Sequence, residues 1–137
     1  MKVKLDEGAF MPERAHEWDA GADLRTPHDI FIAGEGYTVV NTGIHVEIPS
    51  GYVGMVKSKS GLNVKQNLTS EGVIDSGYTG SIMVKLYNHG SRSVFINKGQ
   101  KISQLVLLPI ITPELEVVES LEETERGDGG FGSTGKF

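Results

Sequence analysis

Cysteine is absent from this 137-residue chain. That excludes disulfides and thiolate metal sites, and it fits a reducing compartment. No stretch approaches the roughly 18 consecutive apolar residues that a membrane helix needs. The opening Met1-Lys-Val-Lys-Leu-Asp-Glu7 also lacks the apolar segment of a signal peptide. A soluble, cytoplasmic protein without membrane contact is therefore expected. Positive charge is in deficit as well: 13 Lys and Arg stand against 18 Asp and Glu, for a net charge of -5. A nucleic-acid polymer as main partner would call for a basic stripe, whereas a small polyanion needs only a few local cations. The histidines, His16, His28, His45 and His89, are scattered without ligand spacing and are expected at the surface or in turns. The single tryptophan, Trp18, is expected to pack in a core or at an interface.

What the chain does have is glycine, 18 residues placed as punctuation between short apolar runs. That pattern predicts one all-β domain. Val3 and Leu5 alternate with lysines as an opening strand. Small residues at Ala20, Gly21 and Ala22 precede Asp23, which projects from a strand that Pro27 ends or places at an edge. Ile30 to Ile32 and Tyr37 to Asn41 read as strands. Ile44, Val46 and Ile48 alternate with His45 and Glu47 as a half-buried strand. Tyr52 to Lys57 follows, with Gly54 as a bulge or close contact. Val94 to Ile96 is short, with Phe95 taken as core and, alternatively, as part of a base pocket. Ile102 to Pro109 is apolar on both faces, which points to an oligomer interface, and Gln104 within it needs a partner. Pro113 to Val118 reads as a last strand.

Four stretches carry chemistry. Glu71-Gly-Val-Ile-Asp-Ser-Gly-Tyr-Thr-Gly80, leading into the alternating Ile82-Met-Val-Lys-Leu-Tyr87, reads as a hairpin. It presents one acid, Asp75, and one ring, Tyr78, beside exposed backbone. Taken alone, an ordinary hairpin with a surface acid is the simpler account. Lys57-Ser-Lys-Ser-Gly-Leu-Asn63 offers cations, hydroxyls and free N–H groups at a strand end, with Ser60 as cap of a short helix running to Gln66; its plain alternative is a solvated turn. Asp23 suits either a metal-bound water or a structural hydrogen bond. The tail, Arg126-Gly-Asp-Gly-Gly-Phe-Gly-Ser-Thr-Gly-Lys-Phe137, cannot build a packed element by itself and reads as a mobile flap. Gly130 and Gly135-Lys136 have P-loop spacing, but Phe137 stands where a Ser or Thr should bind magnesium, and no βα pattern precedes it.

In order and spacing these stretches resemble the five motifs of the trimeric dUTPase family: Ala20-Gly-Ala-Asp-Leu24, Ser58-Lys-Ser-Gly-Leu62, Gly72 to Gly80, Gly99-Gln-Lys-Ile-Ser-Gln-Leu105, and Arg126 to Gly135. The third and fifth are the specific ones. The resemblance implies an all-β, distorted jelly-roll barrel over residues 1–125, with one short helix and a flexible C-terminal tail over 126–137. It implies a homotrimer with shared active sites that hydrolyses dUTP to dUMP and pyrophosphate with Mg²⁺. Asp75 would orient and activate the attacking water and reach the sugar 3′-hydroxyl, and Tyr78 would lie under the deoxyribose. Backbone at Gly72 and Met83 would read uracil. Lys59, Ser60 and Gly61 would hold phosphates, and Gln104 would touch the phosphates or their water shell. Asp23 would hold the metal through water. Arg126, Ser133 and Thr134 would grip the terminal phosphate, with Gly132 in the same flap and Phe131 stacked over uracil; Phe131 could instead pack on a neighbouring subunit.

Two departures from the family pattern stand out. Lys59 occupies a position that usually holds Arg, keeping charge but losing the two-pronged grip. Gly77 replaces a common acid. Two rival functions are a dCTP deaminase of the same fold, which would want a further acid in the base pocket, and a nucleotide-sensing trimer whose output is contact with a regulatory protein.

Overall fold

The computed structural model describes residues 1–130. Its strands are β1 (Val3–Leu5), β2 (Gly21–Arg25), β3 (Ile30–Ile32), β4 (Tyr37–Asn41), β5 (Ile44–Val46), β6 (Tyr52–Ser58), β7 (Leu68–Ile74), β8 (Met83–Asn88), β9 (Val94–Ile96) and β10 (Lys101–Pro109), with one helix, α1 (Ser60–Gln66). A curled antiparallel sheet runs in the order β2-β10-β6-β7-β8-β4, and two small sheets, β1-β5 and β3-β9, complete a distorted jelly roll. Strands adjacent in sequence do not pair by default: β3 pairs with β9, and β4 pairs with β8.

Alternation explains the placement. On β3 and β5 the outer residues are buried and the middle one is not, so Ile30, Ile32, Ile44 and Val46 enter one core. Leu24, Val40, Val56, Leu68, Ile82, Val84, Leu86 and Ile102 join them, essentially without solvent contact. Each such side chain contributes about 1.5–3 kcal/mol of burial. Gly54 is a close contact and not a bulge. The β6–β10 register is continuous through it, and a Cβ there would stand 2.6 Å from Ile48 Cδ1.

Buried polar groups are all paired among the described residues. Thr42 Oγ1 donates to the Ile82 carbonyl (2.7 Å) and accepts from Ile44 N–H (3.2 Å). Asn88 Nδ2 donates to the Ala33 and Arg92 carbonyls, at 3.0 and 2.8 Å. Ser103 Oγ donates to the Lys57 carbonyl (2.8 Å) and therefore accepts from Ser70 Oγ (2.8 Å). These bonds fix strand ends that apolar packing alone would leave free to slide.

Several expectations are corrected. Trp18 is 90% exposed, on a loop held by Arg14 and Asp19. Phe95 is exposed and pairs across strands with the equally exposed Phe31, because the two-stranded β3–β9 sheet buries only the flanking isoleucines and leaves its other face to solvent. Residues 113–118 alternate but form no ladder among the described residues, and Leu115 and Val117 stand in solvent. Ser60 is the first helical residue. The cap is Lys59, and it makes no side-chain capping bond. On β10, Ile102 and Leu105 are buried in this chain, whereas Leu108 is exposed.

Candidate active site

The site residues fall in two groups along the β6–β7 ladder. At the first, β2, β10 and β6 lie side by side, with Gln104 opposite Asp23 on one side and Lys57 on the other. Asp23 is 4% exposed, and its backbone N–H is held by the Glu13 carbonyl at 2.8 Å. Its carboxylate receives the Lys59 ammonium on Oδ1 and the Lys101 ammonium on Oδ2, at 2.6 Å. Burial alone would push this carboxyl up, but the two ammonium groups outweigh burial and hold it below its ordinary range.

The chain then leaves β6 and enters α1. Ser60 and Gly61 are exposed, and a Cβ on Gly61 would meet nothing within 4 Å. The first intrahelical bond is from Asn63 N–H to the Lys59 carbonyl, so the N–H groups of Ser60, Gly61 and Leu62 have no partner within the helix. Open space, free donors and nearby ammonium groups suit an anion. Gln104 has the partner that its sequence context required: Nε2 donates to the Ser58 carbonyl at 3.0 Å. Its Oε1 lies so near Gly21 that a Cβ there would come within 2.1 Å, which accounts for glycine at that position.

The second group is the loop from Asp75 to Ile82. Its strands do not make a full hairpin. β7 pairs with β8 only at Leu68–Ser70, after which β7 continues against β6 and β8 continues against β4. The facing backbone edges of Glu71–Ile74 and Met83–Lys85 are left unpaired among the described residues. Gly72 and Met83 thus offer donors and acceptors to a third party, as β-edge recognition requires. Asp75 projects into solvent at the turn. Gly77 has φ 91°, a conformation suited to glycine. The Tyr78 ring is 45% exposed; its hydroxyl donates to the Ser81 carbonyl (3.1 Å), and it leaves no room for a Cβ on Gly80.

Lys57 stands opposite Glu71, so Lys59 lies level with Thr69, while Asp75 lies beyond the other end of β7. At about 3.3 Å per residue Asp75 and Lys59 are roughly 20 Å apart along one chain, with Gly72, opposite Val56, between them. The structure therefore unites Asp23, Lys59 and Gln104 at one end of the ladder and sets Asp75 and Tyr78 beyond the other, with Gly72 and Met83 on the strands between. Arg126 lies apart from both in sequence and donates to the Gly129 carbonyl at 3.0 Å. Phe131, Gly132, Ser133 and Thr134 lie outside the described residues. Lys101 was missed from sequence because nothing in its spacing ties it to Asp23. His45 was set aside as a surface histidine, yet it bonds both Asp6 and Thr79.

For a metal, the described residues contain no group of three or more His, Cys, Asp or Glu. Both oxygens of Asp23 already carry ammonium groups. A cation held by protein ligands alone does not fit this donor set; one carried in by phosphate oxygens does.

A distorted jelly roll with a cation-rich helix entrance at one sheet end and an acid-and-ring turn at the other defines a β-barrel protein of the dUTPase type. A family model described as dUTPase matches residues 7–135. A deoxyuridine 5′-triphosphate nucleotidohydrolase of Clostridium tetani is 41% identical, covering 99% of this chain and 97% of the relative. A Staphylococcus bacteriophage 80alpha dUTPase solved with dUpNHpp superposes with a TM-score of 0.91 at 36% identity, covering 98% of this chain and 97% of that one; it is described among phage dUTPases that control transfer of virulence genes by a G protein-like mechanism. A dUTPase from phage phi11 of S. aureus, solved for its coordination of a structural Mg(II) ion, gives a TM-score of 0.82 at 33% identity, covering 89% of this chain and 98% of that one. The chain belongs to the dUTPase family, and dUTP hydrolysis is the activity that this membership supports.

Proposed function

We propose that the protein cleaves dUTP to dUMP and pyrophosphate by attack of water on the α phosphorus, with Asp75 as base. The observation that carries this reading is the splayed β7–β8 loop, which sets a solvent-facing carboxylate and an exposed ring beside two unpaired backbone edges. Uracil offers a fixed order of acceptors and a donor along one edge, and backbone at Gly72 and Met83 would pair with it. Cytosine reverses part of that order and would leave buried partners unmatched. The Tyr78 ring would lie under the deoxyribose and leave no space for a 2′-hydroxyl, while Asp75 also reaches the 3′-hydroxyl.

In the chemical step the water oxygen bonds to the α phosphorus as the bridging oxygen to the β phosphate leaves, and the water proton passes to Asp75. Charge on the phosphates is met by the free N–H groups and hydroxyl at Ser60 and Gly61, with Lys59 near them. Mg²⁺ brought with the triphosphate would neutralise further charge, with Asp23 holding it through water, while Gln104 would touch the phosphates or their water shell. Residues 126–137 would close the site as a lid on the domain formed by 1–125: Arg126, Ser133 and Thr134 on the terminal phosphate, Gly132 beside them, and Phe131 over the base.

The separation of roughly 20 Å between the Asp75 loop and the Lys59–Gly61 turn, set by the strand rise, supports a homotrimer in which one subunit supplies the base and sugar side and another the phosphate side. The exposed apolar end of β10 suits such an interface. A cytoplasmic location belongs to the same proposal, because the substrate is a soluble metabolic nucleotide. The phage 80alpha relative favours a second role for the same trimer, contact with a regulatory protein governed by nucleotide binding.

A substrate panel with product identification tests the reading. dUTP should yield dUMP and pyrophosphate in the presence of Mg²⁺, with dCTP, dTTP and UTP nearly inert. Equal turnover of UTP would remove Tyr78 from its role, and release of orthophosphate would remove the α phosphorus as the point of attack.

A further inference from the structure

The loop carrying Asp75 and Tyr78 is anchored at both ends. Ser76 Oγ donates to the Ile48 carbonyl (3.3 Å), and Ile82 N–H donates to the Ile44 carbonyl (2.8 Å). Between them, two hydrogen bonds among the described residues tie the loop to the rest of the fold: Ser81 Oγ donates to Asn41 Oδ1 at 2.5 Å, and His45 Nδ1 meets the Thr79 carbonyl, at the centre of the loop, at 2.7 Å. The other ring nitrogen, Nε2, lies 3.0 Å from Asp6 Oδ2. His45 is the outward residue of β5, between the buried Ile44 and Val46, and only 19% of its side chain is exposed. Asp6 is itself fixed, since its N–H donates to the Gly43 carbonyl at 2.9 Å.

Both partners accept and neither donates. A backbone carbonyl has no proton to give, and neither has an ionised carboxylate. A neutral imidazole carries one N–H and can satisfy one of them, turning a lone pair on the other. Only the imidazolium satisfies both. We propose that His45, as the imidazolium, is a positioning residue for dUTP hydrolysis, holding the Thr79 carbonyl and with it the Asp75–Tyr78 turn. The proposal rests on the assignment of that turn to dUTP.

The electrostatic surroundings agree. The hydrogen bond to Asp6 and then that to Thr79 raise the His45 pKa above its ordinary 6.5, against burial and the Lys4 charge. Lys4 also sits 3.6 Å from Asp6 Oδ1, and the Lys2–Glu47 pair (3.0 Å) flanks the same recess. On the loop, the titratable groups are Asp75 and Tyr78. A raised histidine pKa means that the bridging form prevails at and below pH 6.5 and is lost as pH climbs through the raised value.

The experiment is the pH profile of kcat and kcat/KM for dUTP from pH 6 to 9.5 in the wild type, His45→Gln and Asp6→Asn. Misplacing a reacting group by a fraction of an ångström supports a loss of roughly tenfold for His45→Gln at pH 6.5. The two profiles should converge at high pH, where the wild type has lost its imidazolium. Asp6→Asn should move the alkaline fall to lower pH without abolishing it. Imidazole NMR of the wild type should show both His45 nitrogens protonated at pH 6.5 and a titration above the ordinary value. A constant wild-type to His45→Gln ratio at every pH, or a His45 ring that titrates at its ordinary value, would overturn the proposal. If the wild type hydrolyses no dUTP at any pH, the functional reading fails instead, and the NMR titration still decides whether His45 bridges Asp6 and Thr79.

Discussion

Lys59, which caps the one helix, turns its ammonium group back onto the buried carboxylate of Asp23. The turn into α1 is thereby tied to the first strand of the main sheet, and the tie is shared, since Lys101 takes the other oxygen of the same carboxylate. A lysine expected to reach only for substrate thus has a structural partner before any substrate arrives.

Removing the shared acceptor should be felt as stability. Asp23→Asn leaves two ammonium groups facing a neutral amide in a largely dry site, although both lysines are partly exposed and can turn outward. A loss of about 1–3 kcal/mol is expected. The pH dependence has a defined sign. A carboxyl held below its ordinary value of 3.8 in the folded state contributes stability that is complete above that value and disappears as pH falls through the lower folded value. Urea unfolding at pH 7 and at pH 3 should therefore show the wild-type advantage over Asp23→Asn shrinking in acid. An advantage that is the same at both pH values would show that the carboxylate charge is not what Lys59 and Lys101 recognise.

The strands were legible because alternation is a local property. Ile44, Val46 and Ile48 announce which side of their strand meets the core, and they are buried as read. The short helix running to Gln66 was also readable from short-range chemistry. Pairing was not. Nothing local says that β3 seeks β9 and not its neighbour β4, so Phe95 looked like core when only the residues beside it are. Residues 113–118 alternate as a strand does, but a strand exists only where it pairs, and no described strand pairs with this segment. The acid and ring at Asp75 and Tyr78 were visible in the sequence; their separation from Lys59 along the β6–β7 ladder became visible only with the register.

The tail is tested by truncation. Residues 126–130 supply no member of the buried core among the described residues, so a chain shortened by residues 126–137 should fold with unchanged unfolding behaviour. If the segment excludes water and grips the terminal phosphate, kcat/KM for dUTP should fall by at least roughly a hundredfold, the scale of losing oriented charge stabilisation. Steady-state kinetics beside a thermal unfolding curve separates the two outcomes, and full activity in the truncated protein would dismiss the lid.

Asp75→Asn keeps the shape of the turn, since the side chain projects into solvent and no described hydrogen bond depends on its carboxylate. It removes the proton acceptor, so turnover should drop by about two to four orders of magnitude while dUTP still binds. The same variant tests where the site is built. Lys59 and Ser60 stand at the far end of the β6–β7 ladder from Asp75, so a site completed between subunits draws its base from one chain and its phosphate contacts from the next. Mixing inactive Asp75→Asn with a weakened Ser60→Ala variant, then unfolding and refolding them together, should restore part of the activity, because some mixed assemblies pair an intact Asp75 with an intact Ser60. A site completed within one chain would regain nothing on mixing, since every protomer would still carry one of the two lesions. Light scattering on the same samples should report three chains per particle, and a monomer with full activity would contradict the shared site directly.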